Sequence, residues 1–140
     1  MAAMSDYLEE KIAQFMFKNN SGTLASPGDS IYVALFVGDD GLEAGTLTSE
    51  VSAGGGTDYG RQQVAAAGWG QTGGEVENDA DIEFPVAGAA WGEVTHVAIL
   101  DGGTVGSGNV LYHGALDDNR DIGEGDQFKF NAGDLKVTHA

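Results

Sequence analysis

Hydrophobic positions recur with a helical period in one place. Between Ser5 and Lys18, Leu8, Ile12, Phe15 and Met16 fall at i, i+4, i+7 and i+8, which predicts an amphipathic helix with a single apolar stripe. Ser5 is placed to cap its start, and Asp6, Glu9 and Glu10 sit where the helix dipole favours negative charge. Lys18 complements the other end, and Asn19-Asn20-Ser21-Gly22 predicts the stop. So short a helix is marginal alone in water. Its stripe must be covered by its own domain, a sister subunit or another protein.

From residue 28 to 140 the pattern changes to that of strands. Ser30–Val37 and Val94–Asp101 are apolar on both faces, as in strands buried from two sides. Tyr59–Ala66 and Ala80–Phe84 alternate, as half-exposed strands do. Val110–Leu116, Gln127–Asn131 and Leu135–His139 complete a set of about seven, separated by Gly-rich turns such as 102–108. Many short strands without βαβ alternation predict a mainly β domain: an antiparallel β-sandwich or jelly-roll-like fold carrying one N-terminal helix. Two stretches, 38–57 and 67–78, are expected to be long loops. Loops of that length are either mobile surface or arms that order on a partner.

Composition narrows the possible partners. The chain has 140 residues, with 22 acids against six Lys and Arg for a net charge of −16. Nucleic acid is excluded as a partner, because displacing counterions from phosphates takes a cationic stripe. Anionic membranes are disfavoured for the same reason, and no apolar run approaches the roughly 18 residues of a membrane span. The first six residues lack the basic start and apolar stretch of a signal peptide. With no Cys there is no disulfide framework, thiolate metal site or Cys nucleophile.

The motifs that could carry chemistry fail on context. Gly68–Gly73 spells G-x-G-x-x-G, but Gly74-Glu75-Val76-Glu77 is not the helix such a phosphate loop needs. Asp117-x-Asn119-x-Asp121 begins like a calcium loop and then places Ile122 and Phe128 where Gly and a bidentate Glu belong. A weak calcium site from Asp117, Asp121 and Glu124 stays open beside the simpler reading, a solvated acidic turn. A hairpin centred on Val105 would set His96 opposite Gly114 and His113 opposite Val97. The two imidazoles then lie on opposite faces of the sheet and cannot share a metal. Gly106-Ser107-Gly108 lacks the strand-to-helix elbow of a serine hydrolase. The sequence therefore predicts no enzyme, no metal and no cofactor.

Several segments, in order along nearly the whole chain, resemble a family of small tailed-phage virion proteins labelled tail fibre or head decoration proteins. They include Ser5-Asp6-Tyr7-Leu8-Glu9, Tyr32-Val33-Ala34-Leu35-Phe36, Tyr59-Gly60-Arg61-Gln62, Trp91-Gly92-Glu93-Val94-Thr95-His96, Leu111-Tyr112-His113-Gly114-Ala115-Leu116 and Ala132-Gly133-Asp134-Leu135. The resemblance implies a structural virion role and supplies no catalytic residues. Physical arguments then favour a capsid decoration (cement) protein on the outer head surface. An acidic chain is repelled by packaged DNA, and a fibre is expected to show repeats or heptads, which are absent. Its expected partners are the major capsid protein and copies of itself, as an oligomer such as a trimer at a symmetry axis.

The alternative is a tail-associated piece, a short fibre, fibre tip or baseplate component, that helps host attachment. It would use Trp69, Tyr59 and loop carboxylates as a sugar platform. The residues expected to meet partners are Leu8, Ile12, Phe15 and Met16 on the helix, with Tyr59, Arg61 and Trp69. Trp91, which precedes a buried strand, is assigned to the core. Arg61 in so acidic a chain is expected to pair with a carboxylate, either within the chain or on a neighbour.

Overall fold

The computed structural model describes residues 2–20 and 26–139. Ser21 and Gly22 of the predicted helix stop lie outside that set. The chain forms β1 (Ala3–Met4), α1 (Asp6–Phe17), β2 (Tyr32–Phe36), β3 (Gln62–Gln63), β4 (Trp69–Thr72) and β5 (Glu75–Asn78). After these come β6 (Ile82–Glu83), β7 (Gly92–Leu100), β8 (Val110–Ile122), β9 (Lys129–Phe130) and β10 (Lys136–Thr138). It is mainly β, with antiparallel sheets and one helix near the N-terminus.

The principal sheet runs β1-β8-β7-β2-β3, with every pairing antiparallel. Its two central strands are the segments that read as apolar throughout, and both of their faces are covered. On one side Val33, Leu35, Val97 and Ile99 join the main core. That core is closed by the three-stranded sheet β10-β5-β4 and by the β6–β9 pair, giving a sandwich-like packing. On the other side Ala34, Phe36, Ala98, Leu100 and Val110 pack with Leu42. Each large side chain buried this way contributes roughly 1.5–3 kcal/mol.

The segment 38–57, expected as a long loop that is either mobile surface or an arm ordering on a partner, is that second cover. Leu42 is fully buried in that second cluster with Leu47 beside it, and Val51, equally buried, turns into the main core. Asp39 Oδ1 accepts from the N–H groups of Gly41 and Leu42, and Val51 N–H donates to Leu35 O at 3.0 Å.

The segment 67–78, expected as a loop, is instead a hairpin. Trp69–Thr72 pairs with Glu75–Asn78 across the two-residue turn Gly73-Gly74, where Gly73 has φ +62°. A Gly-Gly pair between polar strands is itself a hairpin signal. Low apolar content hid it, because only one face of this hairpin meets the core.

The β7–β8 hairpin also departs from the simple register. Leu111 is an extra residue on β8, so His96 opposes Ala115 and His113 opposes Ala98. That one-residue slip puts both histidines on the same face. β8 then runs on to Ile122, with a register shift between Val94, which opposes Arg120, and His96, which opposes Ala115. The expected calcium-loop residues Asp117 and Asp121 are thus part of a strand.

Residues 2–4 stitch the two sheets, since Ala3 and Met4 pair with β8 while Ala2 bridges Val137 of β10. Ser5 caps α1 as predicted: its Oγ accepts from Leu8 N–H and donates to Val110 O, and its N–H donates to Leu111 O. The helix is therefore anchored at its start. It ends at Phe17, with Lys18 as C-cap and Asn19 turned to φ +51°.

Candidate assembly surface

Arg61 and Tyr59, expected at an interface, are instead drawn inside. Both belong to the segment Tyr59–Ala66, of which only Gln62–Gln63 pairs as a strand. Arg61 makes a two-pronged contact with Glu50: Nε donates to Oε2 at 2.8 Å and one terminal nitrogen to Oε1 at 2.7 Å. Its other terminal nitrogen donates to the carbonyls of Gly102 and Ser107, each at 2.7 Å. Glu50 also accepts from Gly106 N–H and from the Tyr59 hydroxyl, and that hydroxyl accepts from Leu35 N–H. Burial, reinforced by the Glu50 charge, pushes the Tyr59 hydroxyl far above its ordinary range. The hub ties Arg61, Glu50 and Tyr59 to Gly102, Gly106 and Ser107, so it fixes the 102–108 turn from within the chain. The sugar platform expected from Tyr59 and Trp69 is accordingly not assembled.

The helix stripe divides. Leu8 is buried and Ile12 half-buried, as a helix packed on its own domain requires. Beyond them α1 overhangs: Phe15 is 42% exposed, Met16 64% and Phe17 85%. Phe17 was missed in the sequence because it lies off the stripe, and only the overhang reveals it.

Trp69 is half-buried in a groove of about 150 Å³ where the two sheets meet. Ile31, Val76, Ile99, Tyr112 and Val137 line it with Trp69, and His139 stands at its rim. Tyr112 Oη and His139 Nε2 are 2.5 Å apart, while His139 Nδ1 is 3.0 Å from Gly74 O. Half-burial raises the Tyr112 hydroxyl above its usual range. The indole Nε1 of Trp69 is buried without a hydrogen-bond partner among the described residues. The counterpart Trp91 is a core residue, as predicted, with its Nε1 donating to Thr57 O at 2.8 Å and its ring against Tyr59 and Phe84.

Acids gather at the start of α1, where carboxylate oxygens of Asp6, Glu9 and Glu43 approach within 4.8 Å of one another. The helix dipole and His113, whose Nε2 is 2.6 Å from Glu43, account for this gathering. Leu42 N–H holds the Asp39 carboxyl below its ordinary value, with Gly41 N–H and the nearby His96 and His113 adding to the effect. Among the described residues no helix is long and apolar enough to cross a membrane.

The body is small, acidic and β-rich, with the Arg61–Glu50 network turned inward and apolar side chains exposed at the end of α1. The family model described as "Podophage GP4 fiber I protein gp80" matches residues 3–138, and the chain belongs to that family. It is a structural component of a phage virion. No curated protein matches the chain.

Proposed function

We propose that this chain is a tail-associated fibre component, acting as a non-catalytic building block that contributes to host attachment. The observation that carries the reading is the fibre-family match over nearly the whole chain. It favours the tail over the external head surface expected from charge and from the missing repeats. The physical argument against a fibre fails at one step. A fibre needs length, but length can come from stacking copies or from joining other chains, so a compact domain without heptads serves as a segment or tip. The exposed helix end and the groove at Trp69 support contacts with protein neighbours, including copies of itself.

Labelling purified particles with an antibody to this chain tests the location. Label along or at the end of the tail, at a handful of copies, is the expected outcome. Hundreds of copies distributed over the head would overturn the proposal.

A further inference from the structure

β8 leaves its ladder at one place. Arg120 opposes Val94 and Ala115 opposes His96, so β8 carries four residues, 116–119, where β7 has Thr95 alone. Departures of this kind bend a strand and re-aim its side chains, and they gather beside binding sites. Here the bend forms one wall of a cleft of about 220 Å³, lined by Asp117, Asp118 and Arg120 from β8 and by Lys129 and Asp134 from the stretch that follows. We propose that this cleft is a saccharide subsite, holding one uncharged sugar unit. On the reading of the chain as an attachment component, on which the assignment rests, that sugar belongs to a polymer of the host surface.

The lining suits a polyol better than an ion. Asp117, Asp118 and Arg120 are exposed, and none of their side chains has a hydrogen-bond or ion-pair partner among the described residues. A sugar hydroxyl both donates and accepts, so one ring can satisfy carboxylates and a guanidinium in the same cleft. Asp134 is held in place, its Oδ2 accepting from Asn131 N–H at 3.0 Å. Leu116, Phe128 and Phe130 supply the apolar part of the wall, against which the carbon face of a ring can lie. Three acids and two cations nearly cancel within the cleft, so neither a simple anion nor a simple cation is selected. The net charge of −16 repels acidic sugars as well, which leaves the uncharged ones.

Size limits the ligand. Drug-sized molecules fill about 300–1,000 Å³, and this cleft is smaller. A second hollow of about 60 Å³ adjoins it, sharing Leu116, Asp117 and Asp134 and reaching Gly114 and Lys136. The next unit of a polymer therefore has a place to extend. At the affinity per atom typical of small ligands, one unit alone binds at about millimolar Kd. Several copies of the chain on one particle strengthen this by avidity.

The test follows amide shifts by NMR in the isotopically labelled, full-length protein. Methyl glucoside, methyl mannoside, methyl galactoside and N-acetylglucosamine are each titrated to about 100 mM, far above the Kd expected. At least one is expected to give saturable shifts confined to residues 114–120, 128–130 and 134. Asp118→Ala combined with Arg120→Ala, at exposed side chains, should keep the wild-type melting curve and weaken that sugar by about tenfold or more. No saturable shift with any of the four sugars overturns the proposal. Shifts that fall elsewhere, or that persist unchanged in the double variant, overturn it too. So does a response of this cleft to calcium chloride alone, which makes it a cation site, or to oligolysine alone, which makes it a protein contact. Binding is read on purified protein. A chain found on the tail that binds no sugar refutes the subsite alone, and a sugar-binding chain found over the head refutes the tail reading alone.

Discussion

Arg61 and Glu50 form a two-pronged ion pair at 2.7–2.8 Å with both side chains almost wholly out of water, at 0% and 3% exposure. Desolvating two charges costs several kcal/mol each, and the pair recovers this only because five further hydrogen-bonding groups complete the hub. Arg61→Met leaves Glu50 charged and unpaired. It should destabilise the protein by about 3–5 kcal/mol in urea unfolding. Arg61→Met with Glu50→Leu should recover part of that loss, because no lone charge remains. It should not recover all of it, since Tyr59, Gly102, Gly106 and Ser107 lose their partners.

Tyr59 gives a prediction with a sign in pH. Its hydroxyl is held neutral in the fold, well above the ordinary value of 10.0. A raised folded value stabilises the protein fully below the unfolded value, and that contribution fades as pH rises above 10. Wild type should therefore lose stability above pH 10 more steeply than Tyr59→Phe. At pH 7 the variant should be weaker by about 1–3 kcal/mol, because Leu35 N–H and Glu50 are left short of a partner. Denaturant unfolding at pH 7, 9 and 11 measures both effects.

Two glycines should respond oppositely to alanine. A Cβ on Gly88 would stand 2.4 Å from Gly56 O and 2.4 Å from Asp58 Oδ2, so backbone has to move. Gly88→Ala should cost about 1–3 kcal/mol. A Cβ on Gly60 meets nothing within 4 Å, and Gly60 does not have a positive φ. Gly60→Ala should be neutral or add about 0.4–1 kcal/mol by restricting the unfolded chain. Thermal melts of the two variants side by side decide it.

The net charge of −16 repels itself across a small surface. Melting temperature should therefore rise between 10 mM and 1 M salt as screening shortens to about 3 Å. A flat or falling trend would show that local ion pairs such as Lys129–Asp81 and Lys136–Glu77 outweigh the overall field.

What the sequence determined by itself was set by neighbours along the chain. The Leu8/Ile12 period and the Ser5 cap specify α1. The unbroken apolar runs around Val33 and Val97 specify strands covered on both faces. Tertiary structure alone decided what depends on residues distant in sequence. Glu50 meets Arg61 through an irregular loop that no periodicity marks, so the candidate interface arginine became part of the core. The extra residue Leu111 turned His96 and His113 to one face, because side chains in a strand alternate and a single insertion reverses them. The groove at Trp69 exists only because β4, β5 and β10 close over Ile99 and Tyr112. Phe17 stands free because α1 outruns the sheet beneath it. Local pattern fixes which face of an element is apolar; only the packing of whole elements decides how much of that face is left uncovered.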